Sequence, residues 1–493
     1  MQTLRLNFQA GDLHSLHPHF LENSLRGRTL GKSLFEGLTR INPEGKIELA
    51  GAESLEISPD KTQYTFVLRD QKWSNGSPVT AFQYEQAWKC AVAPNSSCAR
   101  ADLFYMIKHA KQVKMGNIEL DKLGVKALND KVLYVELDTP APYFLEAVAQ
   151  PIFAPLVGLE EEPTLFNGPY IVEKWERDNS LVLQASPFFW DKETVAIQRI
   201  EITMVTDAMS SFSIYEKGGI DWIGEPFSSL PLEVSISLLE SKEQSLKKQE
   251  VMRPFWVFLN TDHPALSSSK IRQALSRAVD REAITKHVLV GKNPMYTPLP
   301  AALSQLKLAI PVDGKEEAKR LFKQGLEELD LTLEQFPRLT VSFTQGAGRR
   351  QFSEYLGEVW KETFGIEVGF QSLEWTTLHH YFEKGKYEIG GWCCSCFYGD
   401  PVELLERFEN NHAYNFSNWV HPTYRKTIEL AKKAHDQEKR DQLIAEAEKI
   451  LFECTPFIPI CNFVHYYMHH PKLKDFAFDC SGGVDFRWAY FDR

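Results

Sequence analysis

The sequence predicts an α/β protein of more than one domain. Two observations carry this. Short apolar strands alternate with amphipathic helices through the second half, which argues for a parallel sheet with crossover helices. The chain is also 493 residues long, more than one hydrophobic core organises, so two or three domains are expected. Composition is that of a globular protein, 43% hydrophobic and 25% charged. The aromatic share of 12%, with 11 Trp and 17 Tyr, suits binding surfaces made of flat rings. A net charge of −11 without a basic stripe argues against a nucleic-acid partner. No apolar run is long enough to span a bilayer.

In chain order, residues 2–8 alternate as a strand. No signal peptide precedes Gln2, so an exported protein would carry its targeting segment outside this sequence. Leu16-His17-Pro18-His19 makes a turn, and Leu25 to Leu38 reads as a helix. Asn42 to Lys46 is a turn with proline second and glycine fourth. Residues 52–57 and 63–69 pair as a hairpin. Lys72 to Thr80 is a tight turn ending in a threonine cap for an amphipathic helix over 81–91. Residues 170–172 and 180–185 form a second hairpin, 197–202 a strand and 208–217 a helix closed by Gly218-Gly219. Residues 235–250 are polar and helix-like. The pattern then gives a strand over 252–260, helices over 270–279 and 315–329, and a strand over 339–343. A long helix to Thr363, a strand over 366–370 and a helix opening at Trp375 follow. Helices over 423–436 and 438–453 precede a strand-like tail over 458–467 and 486–491.

The chain is organised around Gly391-Trp392-Cys393-Cys394-Ser395-Cys396-Phe397-Tyr398-Gly399-Asp400-Pro401. This stretch reads as the end of a buried strand, a turn of rings and thiols, and a helix capped by Asp400 with proline at its first position. Rings, thiols and glycines in one strand-to-helix turn suit the wall of an enclosed cavity. Cys393, Cys394 and Cys396 would serve thiol or soft-metal chemistry, or simply fill space as small buried residues. Cys90 and Cys98 flank a loop and could bridge, but no CxxC pair supports a zinc site. His379-His380 and His469-His470 are adjacent pairs whose side chains point apart. No Ser-His-Asp order, phosphate loop or HExxH occurs, and nothing calls for a cofactor.

The order of motifs resembles the solute-binding proteins of peptide-importing ABC transporters, the oligopeptide- and dipeptide-binding family. The matching residues are Leu34-Phe35-Glu36-Gly37-Leu38, Tyr64-Thr65-Phe66 with Leu68-Arg69, and Lys72 through Ala81. They continue with Leu123 to Ala127, Ala141-Pro142-Tyr143-Phe144, Asn167-Gly168-Pro169-Tyr170, and the helix from Ile271-Arg272-Gln273-Ala274-Leu275 to Val279-Asp280-Arg281. The resemblance implies an α/β, two-lobed periplasmic-binding-protein fold with a hinge and an additional α+β domain near the N-terminus. Lobe I would comprise 1–40, 164–250 and 476–493, the additional domain 41–163, and lobe II 251–475. It implies a monomeric carrier outside the cytoplasm, periplasmic or lipid-anchored, that closes on a short peptide and delivers it to a permease. Glutathione, a metal chelate or haem on the same scaffold are alternatives, as is a hydrolase, for which no nucleophile and base are present.

The resemblance also assigns roles. The family places an aspartate for the ligand α-amine three residues before the acidic-Pro pair, and Phe397 stands there instead. Glu22 is the substitute candidate. Arg349 and Arg350, at a glycine-rich strand-to-helix turn, suit the ligand carboxylate. Phe255, Trp256, Trp375, Trp392, Phe397 and Tyr398 are candidates for aromatic walls, with Cys394 and Cys396 among them in the turn.

Overall fold

The computed structural model describes residues 2–21, 24–98, 100–158, 162–306, 314–345, 347–410, 412–434 and 436–492. They form two compact units, Met1–Glu250 with His465–Arg493, and Val251–Val464. The chain passes from one to the other inside two long strands, Lys247–Leu259 and Phe457–His469. The return falls at 464/465 rather than the expected 475/476. The reason is that Tyr467–His469 pairs antiparallel with Trp222–Gly224 of the first unit. Residues 41–163 stay within that unit.

The first unit carries a sheet in the order Gln2–Asn7, Ile197–Thr203, Ser180–Ala185, Tyr170–Glu176. The first pair is parallel and the others antiparallel. Period-two alternation buries Leu4, Leu6, Ile200 and Ile202 on one face. A second sheet runs Ala52–Ile57, Gln63–Leu68, Val132–Glu136, Val125–Ala127. Beside it the helix Ala81–Val92 buries Tyr84 and Trp88. Its start is closed by Gln83, whose side chain accepts from the Thr80 N–H at 2.8 Å. The helix expected over 25–38 stops at Leu34, where the backbone turns extended at Phe35.

The C-terminal segment is tied into the first unit by charge. Asp479 accepts from the N–H groups of Ser481, Gly482 and Gly483 at 2.8 to 2.9 Å and pairs with Lys32. Arg487 grips Glu36 at 2.7 Å and Asp485 at 2.9 Å. The Gln2 side-chain amide brackets Phe491, donating to its carbonyl at 3.1 Å and accepting from its N–H at 2.8 Å. Of the strand expected over 486–491, only Tyr490–Phe491 pairs, with Leu473–Lys474.

The second unit is built on β1 (Lys247–Leu259), α1 (Ser269–Arg277), β2 (Leu339–Thr344), α2 (Ala347–Phe364), β3 (Val368–Leu373), α3 (Trp375–Glu383), β4 (Ile389–Cys393), α4 (Pro401–Leu405), α5 (Gln437–Cys454) and β5 (Phe457–His469). The polar stretch 235–250 was expected as one helix. The helix there is Leu232–Glu240, and β1 begins at Lys247. Strand order is β5-β1-β4-β2-β3. β2 is parallel to both β3 and β4, and β1 is antiparallel to β4, with Phe255 opposite Cys393 and Trp256 opposite Trp392.

Both faces of this sheet are covered. Val257 and Leu259 join Val341, Leu356 and Trp360 in one core, while Trp256 and Phe258 join Leu378, Phe382, Phe408 and Phe457 in the other. Strands buried on both faces read as nearly continuous apolar runs. Gly390 and Gly391 leave room for rings from the two sides. A Cβ at Gly390 would lie 2.6 Å from Phe382 Cζ, and one at Gly391 would lie 2.7 Å from Phe255 Cζ.

Candidate ligand-binding site

The second unit's topology marks one end of its sheet. β2 has β3 on one side and β4 on the other. α2, which follows β2, covers one face through Phe352, Leu356 and Trp360. α3, which follows β3, covers the other through Leu378 and Phe382. Where successive helices leave for opposite faces, a crevice opens at the carboxyl ends of the strands. Arg349 follows β2, Trp375 follows β3, and the turn from Cys394 to Asp400 follows β4.

That turn is held by a carboxylate that the sequence reading missed. Glu403 is 3% exposed. Its Oε2 accepts from the N–H of Phe397 at 2.7 Å and of Tyr398 at 2.9 Å, and the Cys396 thiol donates to it at 3.2 Å. Arg407 lies 3.4 Å from its other oxygen and donates to Ser395 O at 2.7 Å. The available signal was D-x-x-E across Asp400 and Glu403, a helix-start pattern. Here the glutamate reaches past its own helix end into the preceding turn. Asp400 caps α4 by accepting from Val402 N at 2.8 Å, as expected of an acidic residue before proline. It also holds Arg440 at 2.8 Å, both groups being buried.

Cations gather beside this turn. Arg253 Cζ and Lys292 Nζ each stand 5.0 Å from the centroid of the Phe463 ring. Lys292 donates to Val464 O at 3.0 Å. Arg253 Nε is buried without a hydrogen-bond partner. Burial pushes the Cys393 thiol above its ordinary pKa, against the pull of Arg253, Arg349 and Lys292. Arg253 and Lys292 were not singled out from sequence. They meet only because strand pairing brings β1, β5 and the Asn293–Pro294 bridge together.

Of the residues expected at the site, Trp375 and Trp392 form an aromatic shelf. Trp375 is 53% exposed. It stacks on His379 at 5.4 Å and lies 5.8 Å from Trp392, which packs edge-on against Phe382 and Phe416. Trp256 is a correction. It is fully buried among Phe258, Phe408 and Phe457 and walls no crevice. Phe255 is half-buried against Phe352 on the opposite face. Cys394 and Cys396 are core residues, and Phe397 and Tyr398 are buried. Arg350 points to solvent and pairs with Glu354 at 2.8 Å. Glu22 lies outside the described residues. None of the eight cysteines is in a disulfide, so Cys90 and Cys98 do not bridge.

A cavity of about 140 Å³ lies elsewhere in this unit, lined by Ser276, Arg277, Arg281, Tyr296, Glu453 and Pro459. The N–H of Leu259 donates to Pro456 O, which places the cavity where β4 begins rather than where it ends. Its buried Arg281 is spent on Pro459 O, Ser276 O, Val279 O and Ser276 Oγ at 2.7 to 3.1 Å. Among the described residues no cluster of three or more metal-ligating side chains occurs, and no helix is long and apolar enough to cross a membrane.

Comparison with known proteins agrees with this architecture. The family model for bacterial extracellular solute-binding proteins, family 5 middle, matches residues 46–416. The oligopeptide-binding protein OppA of Bacillus subtilis is 32% identical, over 99% of this chain and 92% of its own. The dipeptide-binding protein DppE of the same organism is 26% identical, over 93% and 86%. Among solved structures, the murein tripeptide binding protein MppA of Escherichia coli superposes with a TM-score of 0.85 at 23% identity, covering 100% of this chain and 99% of its own. Haemophilus influenzae OppA, solved in complex with RPPGFSPFR, gives 0.83 at 24% identity with the same coverage. These likenesses give the chain the two-lobed fold of such proteins.

Proposed function

The chain belongs to the bacterial extracellular solute-binding proteins of family 5, and on that premise we propose that it captures short peptides and delivers them to the membrane permease of an ABC importer. The observation that carries this reading is that Arg253 and Lys292 share the Phe463 ring, and with Arg349 act on Cys393 at the end of β4, at the same carboxyl end of the second-unit sheet as the Trp375–Trp392 shelf. A peptide offers that surface a terminal carboxylate for the cations and side chains for the rings. The protein acts as a carrier without a catalytic step, on the extracytoplasmic side of the membrane. Residues 41–163, which hold their own four-stranded sheet, serve as the additional domain.

The test is calorimetric. Protein freed of carried-over ligand by unfolding and refolding should give saturable heats with tri-, tetra- and pentapeptides. A peptide at a hundredfold its dissociation constant should add about 2.7 kcal/mol of stability in a thermal-shift assay. Binding of haem, a metal chelate or glutathione with no response to any ordinary peptide would overturn the reading.

A further inference from the structure

Resting on that reading of the site, we propose that His379 is a positioning residue of the ligand shelf, and that its charge decides how well Trp375 accepts a basic side chain of the peptide. The chain places His379 beside His380, and the two have different surroundings. α3 carries Trp375, His379 and Glu383 at intervals of four, so they follow one another along one side of the helix. The imidazole lies nearly parallel to the Trp375 indole, with 17° between the planes and 5.4 Å between the centroids. It is also 5.4 Å from Trp392, which is 5.8 Å from Trp375. Three such sides make a nearly equilateral triangle, so His379 and Trp392 crowd one side of the Trp375 ring. The other side carries its 53% exposure and is open to a ligand. His379 Nδ1 stands 3.5 Å from Glu383 Oε1. His380 is the more exposed of the two, 4.0 Å from the other oxygen of Glu383.

Histidine is the side chain whose charge changes between pH 5 and 8. With His379 neutral, the Glu383 carboxylate leaves this side of α3 negative, and the open indole face attracts cations. A lysine or arginine side chain of the ligand gains from both. With His379 protonated, the imidazolium offsets Glu383 and lies behind the indole, about 10 Å from a cation on the open face. The remaining charged groups do not reverse this sign. Glu374 is turned to the N–H groups of Thr376 and Thr377. From the facing segment, the Tyr414 ring comes within 6.5 Å of the imidazole. Arg407 lies 5.7 Å from that ring and keeps one charge throughout, and His412, 6.0 Å from it, gains positive charge on acidification as His379 does.

The experiment is calorimetry on the full chain with Ala-Lys-Lys-Ala and the peptide in which norleucine replaces each lysine. The ratio of the two affinities reads the side-chain ammonium, which stays charged across the range used. That ratio, lysine over norleucine, should fall about fivefold from pH 7.5 to 5.5. The fall should shrink in 500 mM salt. His379→Gln should remove most of it. His379→Phe, which keeps a flat ring behind Trp375 without a charge, should do the same and serves if the first variant fails to fold. His380→Gln should retain the fall. A ratio indifferent to pH, a fall that survives both His379 variants, or one lost equally in His380→Gln overturns the role of His379 and leaves peptide capture standing. So does a lysine peptide that fails at pH 7.5 while its norleucine counterpart binds, or failure of both where other tetrapeptides bind. No binding by either probe, with none in the tri- to pentapeptide series above, overturns peptide capture itself.

Discussion

Glu403 organises the turn at the heart of the second unit. A buried carboxylate that receives two backbone N–H groups, a thiol and an arginine is replaced badly by an amide, whose NH₂ would face donors. Glu403→Gln is expected to lower unfolding stability by about 3 kcal/mol. Urea denaturation followed by tryptophan fluorescence measures it, and a loss below about 1 kcal/mol would remove Glu403 from this role. Gly390 is the second sensitive position. Its missing side chain is where the Phe382 ring sits, so Gly390→Ala should cost about 1–3 kcal/mol by overpacking. Single residues were the least legible part of the sequence. Glu403 stood beside a recognised helix start, yet nothing local says that its carboxylate turns back to residues 397 and 398. Trp256, expected among the aromatic walls, is a core residue, and the sequence hid this for a related reason. In a strand covered on both faces, polarity does not distinguish the face of Phe255 from that of Trp256.

At the scale of elements the reading was much closer. Asp400-Pro401 predicts a helix start, and α4 begins there with Asp400 as its cap. The alternation of strands and helices from 339 to 393 predicts parallel pairing, and β2, β3 and β4 are parallel. The departures have physical causes. Residues 247–250 are polar yet extend β1, because strand pairing outweighs a weak helical pattern. The cationic surface was invisible because Arg253 and Lys292 lie on separate elements and share only the Phe463 ring. Asp400 joins two elements, which allows its roles to be separated. Asp400→Ala loses the cap and strands the buried Arg440, and should cost about 3–5 kcal/mol. Asp400→Asn keeps a good cap and should recover about 1 kcal/mol of that loss. Equal melting temperatures for the two variants would place the whole effect in the Arg440 pair.

At the scale of the molecule, two buried groups make stability depend on pH in the same direction. Burial, with the His17 charge adding to it, pushes the His19 imidazole down to about 3. An unfolded histidine binds its proton near pH 6.5. The unfolded state therefore holds more protons between these values, and stability falls as pH drops from about 6.5 towards 3. Asp479 follows at lower pH. Burial raises its pKa, but the charges of Lys32 and Arg28 and hydrogen bonds from Lys32 and Ser481 outweigh that and hold it well below the usual range. Its contribution is present above about pH 4, the unfolded value, and is lost as pH falls further. Urea midpoints should drop steadily from pH 7 to 5. His19→Leu should flatten that slope by up to about 1.4 kcal/mol per pH unit. An unchanged slope would assign the dependence to other groups.

The two long strands through which the chain changes units also set an order of assembly. Residues 251–464 are one unbroken stretch, whereas the first unit needs residues from both before and after it. During synthesis, therefore, the interior segment has all its parts while the earlier-made portion still waits for the strand that covers Trp222, for the aspartate that meets Lys32 and for the arginine that meets Glu36. Gln2, made before that interior segment, finds Phe491 only after the whole of it has been translated.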